Sequence, residues 1–336
     1  MFLIGNDFVW TKQGIRRINE VENGNQILGI DREGSSLWLE LDSAPLLKGK
    51  KEFLIHMILD RSEISVAPTC ELCGRKGILR AEEIKENDKL EIFSEPKSIF
   101  KELEKTTADS VDRIYIKGYG IIPLTIRNSY LLGILSQHTV VPAVWSTGAA
   151  IIKVPAEGAE WTVEKLKKVI PDLNLVAIRG ERHWSYIEFK SSLVNLVRNF
   201  PPLETIFSRV LRSDYPVLHS LMKGLVDTRS VLLENRRRIV TKLEEIRLRK
   251  LLYNLFFIHS VRCFTTVVKY PDNHLCYIDI PSSDLTNFYE RKTPSRTLSA
   301  WTKVKGVYQI KGEMYAFPRR KKIYWSPVID LVLLAC

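Results

Sequence analysis

The spacing of apolar residues changes twice along this chain, and the changes divide it into three regions. From residue 2 to about 95 the text is short alternating runs separated by turns: DFVWTKQGIRRI, NQILGIDREG, SLWLELDS, EFLIHMILDRSEISVA and GILRAEEIKENDKLEIF. Period-two alternation between Gly, Asn and Asp clusters predicts an all-β unit with one short helical turn near 80–85. Segment 94–124 is polar and mixed, with a Lys/Glu-rich helical stretch near 99–105 followed by RIYIKGYGIIPL, and it reads as a connector. From 127 to about 281 the period lengthens. NSYLLGILSQHT predicts a helix, AAIIKV a strand, EWTVEKLKKVI a helix, LNLVAIRG and HWSYIEFK strands, and SSLVNLVRNF a helix. After PPLETIFSRVLR, a second pass offers the helix DYPVLHSLMKGLVD, the extended SVLLENRRRIVTK, the helix LEEIRLRKLLYNLF and the strands FTTVVKY and HLCYIDI. Two passes of similar order predict an internal duplication. The tail, KVKGVYQIKGEMYAF, RRKKIYW and VIDLVLLAC, returns to strand texture. A β domain split by an inserted α/β domain produces this order.

Length and charge sharpen the picture. A chain of 336 residues fits two or three domains, and 45% hydrophobic residues exclude a disordered or fibrous protein. Fifty Lys+Arg against 39 Asp+Glu give +11, an excess that favours an anionic partner. No apolar run approaches the roughly 20 residues of a membrane span, so the expectation is a cytoplasmic, nucleoid-associated protein with no membrane partner. Five Cys suit a reducing compartment. Cys70 and Cys73 make a lone Cys-x-x-Cys in TCELCGRKG; without a second pair a tight Gly hairpin is the simpler reading, with Cys263, Cys276 or His56 as ligands only if the fold recruits them. No metal and no cofactor are expected.

Several segments resemble a known family. Gly5, Val9, Gly14 and Ile18 in LIGNDFVWTKQGIRRINEV, and the stretch LRAEEIKENDKLEIF with Asn87 where Gly is usual, are similar to the Hint-type β domain of inteins. SYLLGILSQHT (129–139) and HSLMKGLVDTRS (219–230) resemble the paired helices of a LAGLIDADG homing endonuclease. The resemblance implies a multidomain α+β protein: an all-β Hint-type domain in two pieces, 1–95 and 286–336, a linker at 96–124, and a duplicated αββαββα LAGLIDADG-type domain at 125–285 with pseudo-repeats of about 125–200 and 201–285. It also implies that Gly133 and Gly224 let two helices meet closely, and that acids at the helix ends hold divalent ions for phosphodiester hydrolysis. Those acid positions fall on His138 and Arg229, neither a ligand for a hard cation, so the expectation is a non-enzyme; if enzymatic, a DNA endonuclease. Asp227 matches the earlier, non-ligating Asp and reads as a structural carboxylate. Splicing needs a nucleophile at the first position, a Thr-x-x-His and a terminal Asn. Here Met1-Phe2, Ser65-Val66-Ala67-Pro68 and Leu334-Ala335-Cys336 stand at those places, so splicing is not expected.

In the resembled nucleases antiparallel sheets lie along the major groove. By that resemblance the double-stranded-DNA contacts are Lys153, Arg179, Arg182 and Lys190, with His183 and Tyr186, in the first half. In the second they are Arg236, Arg238, Lys242, Arg262, Lys269 and Tyr270, while strand alternation turns Arg237 to the other face. Arg229 then stands under the phosphates as a fixed cation. RRKK at 319–322 with Tyr324 and Trp325, and Lys303 with Lys305, extend the footprint or merely protect an edge strand. Leu243, Ile246, Leu248, Leu251, Leu252 and Leu255 read as helix core, and Trp145, Trp161, Trp184 and Trp301 as packing. The expected function is duplex DNA binding by a monomer. The alternatives are residual metal-dependent nicking through Asp214 or Asp227, and a protein-interaction scaffold.

Overall fold

The structure, a computed structural model, describes residues 2–5, 7–30, 36–41, 43–92, 94, 96–104, 113–136, 149–181, 184–269, 274–291 and 298–317. In chain order the elements are β1 Phe2–Gly5, β2 Phe8–Thr11, β3 Gly14–Arg17, β4 Gln26–Ile30, β5 Ser36–Glu40, β6 Leu46–Leu59, β7 Glu63–Val66, β8 Glu71–Gly74, β9 Gly77–Arg80, β10 Lys89–Glu91 and α1 Pro96–Leu103. Then come β11 Arg113–Ile116, β12 Gly120–Pro123, α2 Ile126–Leu135, β13 Ala150–Pro155, α3 Ala159–Val169, β14 Asn174–Glu181, β15 Trp184–Lys190, α4 Val194–Arg198, α5 Leu203–Val210, α6 Tyr215–Arg229, β16 Ser230–Leu233 and β17 Arg236–Lys242. The last are α7 Ile246–Ile258, β18 Phe264–Lys269, β19 His274–Pro281, α8 Ser282–Tyr289 and β20 Trp301–Phe317. They form two compact units, one of Met1–Thr106 with Thr241–Cys336, the other of Thr107–Val240.

In the discontinuous unit the late strand β20 lies inside a sheet built by early ones, in the order β1-β7-β6-β20-β10-β8-β9, and β1 pairs with β20 as well as β7. A second sheet runs β3-β2-β4-β5. Alternation along these strands sends Val9, Ile27, Met57, Leu59, Ile64, Leu72, Leu90 and Val304 into one core. The unit also contains a local repeat. After β3 and after β9 the chain makes the same turn, Arg17 N–H donating to Glu20 (3.3 Å) and Arg80 N–H to Glu83 (3.2 Å). A loop follows in which Gly24 and Asn87 take φ of 81° and 78°. Their amides donate to the carbonyls of Leu41 and Val304 respectively, both at 2.9 Å. Asn tolerates the left-handed region better than other side chains, which is why it replaces Gly at 87.

The units do not divide where the sequence suggests. The expected central domain ended at 285, yet 241–285 belongs with the β sheets. Helix α7 gives the reason. It is buried on every side from Leu248 to Ile258, polar residues included. Arg249 Nε donates to Glu63 at 2.7 Å, Lys250 pairs with Asp7, Asn254 accepts from Trp10 Nε1 at 3.2 Å, and Tyr253 shares a 2.6 Å hydrogen bond with Thr265. Buried charges need partners, and those partners are Glu63 on β7 and Asp7 just before β2. The second pass, 201–285, is therefore split between units instead of forming one pseudo-repeat body.

Segment 96–124 is likewise not a bare connector. In α1, Ile99, Phe100 and Leu103 are buried and Glu102 accepts from Trp38 Nε1 at 2.9 Å. In the other unit β11 and β12 form a hairpin that buries Ile114, Ile116 and Ile122 on one face.

The continuous unit holds that hairpin, the three-stranded sheet β13-β15-β14 and the hairpin β16–β17. Among the described residues α2 is followed by a strand, a helix and a hairpin, whereas α6 is followed directly by a hairpin.

Candidate nucleic-acid interface

Helices α2 and α6 meet through glycine. A Cβ on Gly133 would lie 2.1 Å from the Leu221 carbonyl oxygen and 3.0 Å from Gly224 Cα; one on Gly224 would lie 2.3 Å from the Tyr130 carbonyl oxygen. Only hydrogen fits at this crossing, and Ser220 Oγ strengthens it by donating to the Ile126 carbonyl at 2.7 Å. Gly224→Ala is expected to destabilise this unit by about 3 kcal/mol, because backbone cannot move aside as a side-chain tip can. Urea unfolding measures it, and a loss below about 1 kcal/mol would show that the helices separate readily.

The end of α6 is clasped by a buried polar cluster. Tyr130 Oη donates to Asp227 Oδ2 at 2.5 Å, and Arg237 donates to Oδ1 at 3.2 Å. Asp227 is 2% exposed. Burial, and then the Asp227 charge, push the Tyr130 hydroxyl well above the usual tyrosine range. The Arg237 guanidinium lies 4.4 Å from the centre of the Trp161 ring. Both carboxylate oxygens of Asp227 are thus engaged by protein donors, the geometry of a structural acid; it ties β17 to the helix pair. Arg229 closes α6, half-buried; His138 lies outside the described residues.

The clasp fixes which face β17 presents. Arg237, Ile239 and Thr241 are buried, whereas Arg236 is exposed and Arg238 half-buried on the opposite face. The outward pair Arg236 and Arg238 thus follows from alternation.

The sheet β13-β15-β14 brings the first-half candidates together. Its register puts Lys153 opposite Tyr186 and Tyr186 opposite Arg179, one row across three strands. Ile152, Val154, Ile187 and Phe189 fill the core face. By alternation Lys153, Arg179, Trp184, Tyr186 and Lys190 share the other, together with the buried acid Glu188. Lys153 Nζ sits 4.7 Å from the Trp184 ring centre and 5.8 Å from that of Tyr186. Arg179, half exposed, is 3.2 Å from the buried Glu188, which offsets part of its charge. Arg182 and His183 lie outside the described residues.

The remaining candidates belong to the discontinuous unit. Lys242 is exposed at the end of β17. Arg262 precedes β18 and makes a two-pronged pair with Asp284, at 2.9 and 3.1 Å, which raises its pKa and holds it at the start of α8. Lys269 is exposed, 3.3 Å from Glu86 and 5.9 Å from the Tyr308 ring centre. Tyr270, Trp145 and the 319–325 segment lie outside the described residues. Lys305 pairs with Asp60 at 2.9 Å. Cys70 and Cys73 flank and form part of the β8–β9 hairpin, which turns through Gly74 and Gly77. Among the described residues no cluster of three or more His, Cys, Asp or Glu is arranged to hold a metal, and no helix is long and apolar enough to cross a membrane.

The sequence reading passed over the outer face of the β11–β12 hairpin, where Tyr115 and Ile121 stand opposite each other and exposed. The signal was present in RIYIKGYGII, where apolar residues fill both phases of a strand.

No family model matches the sequence, and no curated protein matches it. Among solved structures the chain is similar to a variant of the homing endonuclease I-DmoI in complex with its target DNA, at 16% identity and a TM-score of 0.31, covering 52% of this chain and 99% of that one. It is also similar to full-length DUF199/WhiA from Thermatoga maritima, at 17% identity and a TM-score of 0.31, covering 61% of this chain and 63% of that one. I-DmoI in complex with DNA and Ca gives 14% identity, a TM-score of 0.30 and coverage of 51% and 95%. At TM-scores near 0.3, neither fold nor function passes from those proteins to this chain.

Proposed function

We propose that this protein binds duplex DNA through the outward face of β13-β15-β14 and the outward side chains of β17, without cutting it. The observation that carries the reading is the row Lys153–Tyr186–Arg179, joined on the same sheet face by Trp184 and Lys190. Cations that alternate with aromatic rings on a pleated surface meet phosphates and sugar edges, and the net charge of +11 supplies the long-range attraction. The glycine-mediated α2–α6 crossing and the loss of an acid at Arg229 support descent from a LAGLIDADG-type nuclease. The late strand β20 inside a sheet of early strands is consistent with a split Hint-like domain. Both carboxylate oxygens of Asp227 already accept from protein donors, Tyr130 and Arg237, which counts against residual nicking.

Anisotropy of labelled duplex against salt tests this. If about six cations meet phosphates, affinity falls roughly 10³-fold or more between 50 and 200 mM salt. A flat salt response, or metal-dependent nicking with Mg²⁺ or Mn²⁺, would overturn the proposal.

A further inference from the structure

The β11–β12 hairpin carries an exposed apolar face that the duplex reading does not use. Tyr115 is 71% exposed, Ile121 opposite it 62%, Ile126 57% and Tyr119 40%. The inner face is the buried one, with Ile114, Ile116 and Ile122, so the outward rings are not there to complete a core. Tyr115 and Ile121, opposite each other across the hairpin, leave an uncovered apolar pair, the kind of surface that marks a ligand or partner site.

The charged side chains of the segment itself are of one sign. Segment 113–129 contains Arg113, Lys117 and Arg127, all exposed, and no Asp or Glu. A second copy of this chain would place like charges against each other across the contact. The ligand that matches is anionic and offers flat apolar faces. The geometry points to a single-stranded nucleic acid, its bases stacked on Tyr115 and Tyr119 over the floor made by Ile121 and Ile126, its phosphates met by Arg113, Lys117 and Arg127. Gly118 and Gly120 take φ of 76° and 115°, which lets the chain reverse within Lys117–Gly120 and leaves Tyr119 exposed at the turn that follows the strand bearing Tyr115. This hairpin is a separate sheet from the one whose face is proposed above to meet duplex.

The test is a titration of the full chain with a fluorescent oligo(dT) of about 12 nucleotides, within the range one such platform covers. Tyr115→Ala and Tyr119→Ala are each expected to weaken oligo(dT) binding by about tenfold to a hundredfold. Tyr115→Phe, which keeps the ring, retains wild-type affinity, and all three variants keep the affinity for duplex. Because Tyr115 is largely exposed, its removal leaves the fold intact, which circular dichroism checks. Absence of oligo(dT) binding, or binding that ignores both alanine changes, would overturn the assignment. So would loss of self-association on Tyr115→Ala with oligo(dT) binding unchanged, which would give the face to a second copy. Failure of duplex binding with the oligo(dT) result intact would sink only the earlier reading.

Discussion

Replacing Lys153, Arg179, Lys190, Arg236 and Arg238 together with Gln is expected to reduce duplex affinity by roughly 10³-fold or more in 0.1 M salt. It should also lower the slope of log affinity against log salt by about 4 to 5. Each lost phosphate contact removes about 0.9 from the slope through the counterions it no longer releases. Lys153, Arg179, Lys190 and Arg236 project from strand surfaces and Arg238 is half-buried, so Gln keeps most of the side-chain volume and the fold is retained. Arg179 contributes least, because Glu188 already offsets it at 3.2 Å. Arg237 is left in place: its guanidinium serves Asp227 and Trp161, and its loss would perturb the hairpin itself. An unchanged slope in the five-fold variant would mean that DNA, if bound at all, lies elsewhere on the chain.

Arg249→Met is expected to destabilise the discontinuous unit by about 3 to 5 kcal/mol, the usual consequence of stranding one partner of a buried ion pair. Arg249 and Glu63 are both 0% exposed and 2.7 Å apart. Burial works against the Arg249 charge, but the surrounding acidic groups, Glu63 foremost, together outweigh it, so the guanidinium stays charged and its pKa rises. Its other nitrogens donate to the carbonyls of Lys242 and Leu243, which seals the start of α7. Glu63 also faces His56 Nε2 at 3.6 Å, while His56 Nδ1 shares a 2.9 Å bond with Ser65. The double change Glu63→Leu with Arg249→Met should recover part of the loss, since two apolar side chains satisfy an apolar site better than one orphaned charge. Guanidinium unfolding monitored by tryptophan fluorescence measures both variants. A single-variant loss below about 1 kcal/mol would show that water reaches the pair.

The chain's own text determined a good deal. Period two against period three to four placed most strands and helices, because a pleated strand and a helix impose those repeats on any half-buried element. The close crossing at Gly133 and Gly224 was implied by the resemblance to paired LAGLIDADG helices, and a Cβ at either position would meet backbone at 2.1 or 2.3 Å. Alternation alone separated Arg237 from Arg236 and Arg238.

Tertiary structure decided what depends on partners distant in sequence. LEEIRLRKLLYNLF shows a helix but not that Arg249 and Lys250 are buried, because their counter-charges, Glu63 and Asp7, lie far away in the N-terminal part of the chain. The division at 240 and 241, in place of one at 285, follows from those pairs. Arg262 looked like an available cation until Asp284 was found beside it. The 113–123 hairpin looked like a connector because its outward face is apolar as well as its inward one, which blurs the alternation that marks a half-buried strand. Local periodicity reports what each segment prefers; pairing of buried charges across the fold settles where each segment belongs, since the cost of an unpaired charge exceeds any local preference.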